Sequence, residues 1–399
     1  LIRNILIGTA LATLAMNPAL AQEINVKLGV LNDRSGVYAD LSGEGSVIAA
    51  QMAVEDFKAA DKGMKVEIIS ADHQNKPDIG SSIARKWYDE EGVNAILDVP
   101  TSSVALAVAD ITAEKNGVLI NSGAGSTELT QGQCKPTTIH WTYDTAALAN
   151  GTGKALTDAG GKKWFFITAD YAFGQSLQEN TAKVVEASGG EVVGNVDAPF
   201  PTTDFSSYLL QAQGSGADVI GLANAGGDTV NAIKQASEFG ITQAGQKLAA
   251  LLFFITDVQA LGAQTAQGLS LTSAFYWDRN DATREWSKRF MERHGAEPTM
   301  VQAGVYSGTL QYLKAVEALG SAEDGKAVAA KMKESPFDDP LFGKGSIRGD
   351  GRAIHDMYLY EVKTPAESTG EWDLYKEVAT ISGEDAFLPM LEECDFTKQ

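Results

Sequence analysis

Short apolar runs alternate along the chain with longer stretches in which apolar residues recur every three to four positions, the signatures of buried strands and amphipathic helices. The run Val26-Lys27-Leu28-Gly29-Val30-Leu31 predicts a strand, and Ile48, Met52, Val54 and Phe57 share one face of the helix after it. The unit recurs: residues 66–69, 95–99 and 118–120 read as strands, and 78–90 and 103–114 as helices. Strands alternating with helices of this length predict βαβ crossovers and a parallel sheet.

The pattern restarts after a seam at His140-Trp141-Thr142-Tyr143-Asp144. A helix over 145–158 stops at Gly160-Gly161; strands follow at 164–167, 191–196, 218–223 and 248–254, with helices at 175–186, 205–213 and 228–238. The later strands (269–276, 357–362) and helices (282–293, 299–318, 324–333) are too few for a third domain and complete the first two. The chain is therefore read as α/β, two doubly wound parallel-sheet lobes joined by three hinge crossings near 141–145, 272–277 and 345–353. The expected boundaries are 22–141 plus 275–350 for the N-terminal lobe, 142–274 plus 351–375 for the C-terminal lobe, and 376–399 as a C-terminal tail. Open parallel sheets bind ligands at the carboxyl ends of their strands, and two such lobes make a cleft that can close.

The first 21 residues have a different pattern. Arg3 is the only charge before Glu23, an apolar run spans 5–16, and Ala19-Leu20-Ala21 supplies a small-x-small cleavage pattern. A signal peptide (1–21) cleaved near Ala21-Gln22 is expected, hence a periplasmic protein; no other stretch is long enough to cross a bilayer. Export changes the reading of Cys134 and Cys394, the only cysteines: an even count in an oxidising compartment favours a disulfide, with two inert thiols as the alternative.

Composition narrows the function. The chain has 399 residues, 44% of them hydrophobic, enough for a sizeable core. Thirty-two Lys+Arg against 52 Asp+Glu leave a net charge of −20, a field that repels phosphate backbones and anionic lipid, so neither nucleic acid nor direct membrane insertion is expected. The G-x-S-x-G elbow does not occur, and G-x-G-x-x-G fails at Gly43-Glu44-Gly45, Gly123-Ala124-Gly125 and Gly151-Thr152-Gly153. The four histidines have no i, i+4 partner, so no metal site, cofactor or catalytic residue is expected.

The informative residues stand at strand ends. Thr101-Ser102-Ser103 opens a helix whose free N–H groups suit a carboxylate, with plain helix capping as the alternative. After the next strand, Gly123, Ala124 and Ser126 offer close backbone approach and a hydroxyl, or simply a capped turn.

These stretches, together with Ser35-Gly36, residues 50–56 (Ala-Gln-Met-Ala-Val-Glu-Asp), Ser126-Thr127-Glu128-Leu129-Thr130 and Asp204-Phe205-Ser206-Ser207-Tyr208, resemble the leucine/isoleucine/valine-binding type of periplasmic substrate-binding protein, which serves ABC importers. The resemblance covers nearly all of 23–363. It implies a type I binding-protein fold and a ligand carboxylate held at Ser102 and around Gly123–Ser126. Where amino-acid binders carry an aromatic residue and an ammonium-binding glutamate, this chain has Asn224 and Phe253. A buried ammonium without a carboxylate partner costs several kcal/mol. With Tyr38, Tyr171, Phe173, Phe253, Tyr276 and Trp277 near strand ends, the expected ligand is an aromatic acid, Arg34 being a candidate ion partner. A permease of an ABC importer is the expected partner and a monomer the expected state. Alternatives are a branched-chain or other amino-acid binder, a periplasmic ligand sensor and, least supported, an exported hydrolase.

Overall fold

A computed structural model describes residues 23–334 and 336–398; the expected signal peptide lies outside the described residues. Five parallel strands, β1 (Ile24–Asn32), β2 (Met64–Asp72), β3 (Ala95–Asp98), β4 (Val118–Asn121) and β5 (Thr138–His140), form the first sheet in the order β2-β1-β3-β4-β5. Four more, β6 (Lys163–Ala169), β7 (Glu191–Ala198), β8 (Val219–Ala223) and β9 (Lys247–Ala250), form the second, in the order β7-β6-β8-β9. All pairings within the two sheets are parallel, as βαβ crossovers require. Their central strands are buried on both faces, and so they read as continuous apolar runs rather than alternations.

Three smaller strands, β11 (Phe337–Asp339), β12 (Gly343–Ile347) and β13 (Ala353–Ile354), pair antiparallel, and Phe337 packs on Trp141 at 4.9 Å between ring centroids. β10 (Ser270–Ser273), β14 (Met357–Val362) and β15 (Tyr375–Ile381) make an antiparallel sheet whose Leu271, Tyr360 and Tyr375 share a core with the second lobe. The chain thus passes between the lobes at 141–144, 274–280 and 355–356. Arg352 still bridges to His140, and β13 still pairs with β12, so the third passage follows residue 354.

The crossings are knit together by a buried guanidinium. Arg352 donates to the carbonyls of Trp141 (2.5 Å) and Tyr143 (3.0 Å), with the Asp144 carboxylate 3.8 Å away. Burial lowers its pKa to about 10 against the pull of Asp144, leaving it charged at neutral pH. His355 adds a contact to the Trp141 carbonyl at 3.0 Å. Cys134 and Cys394 are disulfide-bonded, as expected from export.

The structure alters several elements. β5 is a strand that the sequence pattern does not predict, because three residues are too few for a periodic signal. The strand expected over 248–254 ends at Ala250, and Leu251–Phe254 leave the sheet before helix Ile255–Leu261. The strand expected over 269–276 likewise ends at Ser273. A π-turn at Ala149–Gly153 interrupts the helix expected over 145–158: Gly151 lies so close to Thr272 that a Cβ there would meet its hydroxyl at 2.1 Å.

Candidate ligand-binding site

Strand order places the site. In the order β2-β1-β3-β4-β5 the sheet reverses direction of winding between β1 and β3, and in β7-β6-β8-β9 between β6 and β8. Loops diverge at such switch points and leave a crevice at the strands' carboxyl ends. The two crevices face each other. Tyr38 and Leu41 follow β1, Pro100 follows β3 and Gly123 follows β4; opposite them stand Tyr171 and Phe173 after β6, Ala225 after β8, and Leu252 and Phe254 after β9. Tyr143, on the first crossing, closes the circle around a narrow cavity of about 10 Å³, room for about one water. Among these lining residues there is no charged side chain.

The first-lobe wall is held by hydrogen bonds. The buried Asp33 carboxylate accepts from the N–H groups of Gly36 (2.7 Å) and Tyr38 (2.9 Å) and from the Asn75 amide (2.7 Å), setting the 33–38 loop. Asn75 in turn accepts from the Thr101 hydroxyl at 2.5 Å, joining the ends of β1, β2 and β3. Asp98, buried at the end of β3, accepts from Ser42 (2.6 Å) and Asn32 (3.1 Å). Burial raises its pKa against these two hydrogen bonds. Asp98 and Val99 have φ of +80° and +55°, a left-handed turn that non-glycine residues adopt only under strain, and it delivers Pro100 to the cleft.

Ser102 and Ser126 are brought together. The Ser126 amide donates to the Ser102 hydroxyl at 3.2 Å, while the Ser126 hydroxyl caps the short 3₁₀ turn Thr127–Leu129 by accepting from Glu128. Thr101 is buried beside them, and Ser103 is half-buried on the first turn of helix Ser102–Glu114. Gly123 accepts from the Tyr143 hydroxyl at 2.5 Å; the neighbouring Ala124 carbonyl accepts from Asn121 at 2.7 Å. A Cβ on Gly123 would sit 2.6 Å from the Pro100 backbone, so only glycine permits this approach.

The second-lobe wall is built of rings. Phe200 stacks on Tyr171 at 4.3 Å and on Tyr38 at 5.4 Å. The Tyr38 and Tyr171 hydroxyls, from opposite lobes, meet at 2.5 Å, and the Gly227 amide donates to the Val37 carbonyl at 3.1 Å. Burial, with the neighbouring Tyr171 phenol, holds the Tyr38 hydroxyl well above its usual pKa. Behind them Asp228, 1% exposed, accepts from the Thr202 amide, and burial pushes its pKa up to about 7.

Other expected residues lie elsewhere. Arg34 is paired with Glu44 and does not line the cleft. Phe253 and Tyr276 belong to the second lobe's own core, with the Tyr276 ring 5.0 Å from Tyr375. Phe253 turns inward because the chain leaves the sheet at Ala250, and its neighbours Leu252 and Phe254 take the cleft-facing positions. Asn224 is buried and accepts from Thr229 at 2.7 Å, one residue before the lining Ala225. Sequence reasoning did not assign Leu41, Pro100, Tyr143, Leu252 or Phe254 to the site. Their position just past a strand end or at the seam was the available signal.

The family model described as periplasmic binding protein matches residues 25–370. The chain belongs to this family. A solved periplasmic binding protein from Burkholderia mallei is 52% identical, covers 93% of this chain and 98% of its own, and superposes with a TM-score of 0.89. A branched chain amino acid ABC transporter periplasmic ligand-binding protein from Burkholderia xenovorans LB400 is 41% identical over 91% of this chain and 97% of its own, with a TM-score of 0.81. Leu/Ile/Val-binding protein homolog 6 of Brucella melitensis is 27% identical over 90% of this chain and 93% of its own. As a periplasmic binding protein of the ABC transporter type, with the two-lobe type I fold, this chain shares its architecture with substrate-binding proteins of transporters. Among the described residues no helix is long and apolar enough to cross a membrane.

Proposed function

We propose that this binding protein captures a small aromatic carboxylate between its lobes and hands it to the membrane permease of an ABC importer. The observation that carries the reading is the lining: tyrosine and phenylalanine rings, Leu41, Leu252 and Pro100, with no charged side chain among them. Such a surface favours one flat apolar group. The ligand's carboxylate would meet the N-terminus of helix Ser102–Glu114, with Thr101, Ser102, Ser103 and Ser126 hydroxyls and the Gly123–Ala124 backbone near it. Charge-assisted hydrogen bonds of this kind contribute ~1.5–3 kcal/mol each.

A branched-chain amino acid is the second reading, favoured by what the similar Burkholderia xenovorans and Brucella proteins are called and by the aliphatic Leu41 and Leu252. It requires a carboxylate for the ammonium, and the lining residues supply none.

A calorimetric panel of benzoate, 4-hydroxybenzoate, cinnamate, leucine and acetate separates the two. Binding of an aromatic acid with weaker or absent leucine binding is the expected result. Tight leucine binding with no aromatic acid bound overturns the proposal.

A further inference from the structure

The polypeptide crosses between the lobes three times and then does so again in a different manner. β15 belongs to the second lobe's antiparallel sheet. Beyond it, helix Gly383–Ala386 lies at the hinge, where the Asn150 side-chain amide donates to the Ala386 carbonyl at 2.9 Å. Phe387 then stands on the two groups that knit the crossings: its ring is 4.3 Å from the Arg352 guanidinium and 5.7 Å from the His355 ring. The chain continues onto the first lobe. Arg348 donates to the Leu388 carbonyl at 2.7 Å and Gln131 to that of Pro389 at 3.2 Å, and Cys394 is bonded to Cys134, shortly before β5.

We propose that the C-terminal segment, locked by Cys134–Cys394, is a fourth connection between the lobes that limits how far the cleft opens. The disulfide joins residues 260 positions apart and converts a loose end into a closed strap over the hinge. Any rotation of the second lobe carries β15 with it, and the strap's far end cannot follow. The restraint acts on the same atoms that bend. Phe387 presses on Arg352, Arg352 holds the carbonyls of Trp141 and Tyr143, and the Tyr143 hydroxyl reaches Gly123 in the cleft. Without the bond, the segment after Phe387 is tethered by exposed or half-buried hydrogen bonds and the contact of Lys333 with the Phe396 ring, and opening widens. The inference concerns motion and does not depend on which ligand the cleft takes.

The test compares the full chain with a Cys134→Ser/Cys394→Ser double variant, both without ligand, by small-angle scattering and amide hydrogen exchange. The variant should have a larger radius of gyration, and its amides at 141–144 and 386–394 should exchange at least about tenfold faster, as expected on removing a cross-link of long span. A folded variant that scatters and exchanges like the wild type overturns the strap. Should the variant not fold, folded wild-type protein is reduced instead with dithiothreitol, which gives two electrons and two protons to the S–S bond, yields two thiols and becomes its cyclic disulfide. The same widening is expected. Unchanged scattering and exchange after reduction overturn the proposal, and so does global unfolding read by circular dichroism, because the bond would then be holding a lobe together rather than the hinge.

Discussion

The two walls of the cleft are built on different physics. The first-lobe wall is a lattice of hydrogen bonds: Asp33 fixes the 33–38 loop, Asn75 ties it to Thr101, and Ser102 holds the Ser126 amide. The second-lobe wall is a stack of rings, Tyr171 on Phe200, with Phe173, Leu252 and Phe254 beside it. Hydrogen bonds prescribe direction, so the first wall is held in one shape. Rings reward buried area and tolerate sliding, so the second suits the apolar body of a ligand. The walls meet in contacts that only a closed cleft can make, among them Tyr38 hydroxyl to Tyr171 hydroxyl, the Tyr38 ring on Phe200, and Gly227 amide to Val37 carbonyl.

The sharpest way to break this arrangement is to obstruct the meeting point. Gly226 has φ of +56°, and a Cβ there would lie 2.4 Å from the Val37 carbonyl oxygen of the opposite lobe. Gly226→Ala combines backbone strain of roughly 1–3 kcal/mol with a clash against backbone, and affinity for benzoate measured by calorimetry should fall by more than about tenfold. Unchanged affinity would mean that the lobes do not meet here when ligand is bound.

A smaller perturbation asks whether the walls act together. Tyr38→Phe and Tyr171→Phe each remove one partner of the shared hydrogen bond, worth about 0.5–1.5 kcal/mol, or roughly a two- to tenfold loss in benzoate affinity. Because the hydroxyls bond to each other, the double variant should be little worse than either single one. Additive losses would show each tyrosine serving its own wall.

The smallest expected effect concerns pH, where the walls behave oppositely. His73, buried under the first wall, has its pKa lowered to about 4, so the unfolded chain binds the proton first and stability is lost as pH falls from about 6.5 toward 4. Asp257 in the second lobe, which caps helix Ile255–Leu261 by accepting from the Phe254 amide at 2.9 Å, has its pKa raised by burial to about 7. The folded state keeps that proton longer, so this contribution is lost as pH rises from the unfolded carboxyl's 3.8 through about 7. Asp257→Asn removes it. The variant's melting temperature relative to wild type should therefore climb between pH 5 and pH 8, by an amount of order 1 kcal/mol in stability. A difference independent of pH would place the Asp257 proton elsewhere.

Much of this was readable from local pattern. The central strands of both sheets stand out because strands buried on both faces must be apolar throughout, whatever packs against them. The cysteines, the seam at 140–144 and the serines at 102, 103 and 126 also stood out, since a cap, a cross-link or a chain reversal leaves residue types that no helix or strand interior favours.

Which side chains meet across the cleft was not readable in that way. Phe253 and Phe254 are adjacent and chemically alike, yet one is core and the other lines the cleft, a choice made by the strand ending at Ala250 and by the Asp257 cap. Tyr143 faces the cleft because Arg352, more than two hundred positions away, holds its carbonyl. Arg34 is taken by Glu44, a partner that spacing alone does not select. Periodicity encodes which face of an element is buried, because that depends on neighbours one or two turns away. Directions taken by residues beyond a strand's end depend on contacts between distant segments, and those exist only once both lobes have folded and met.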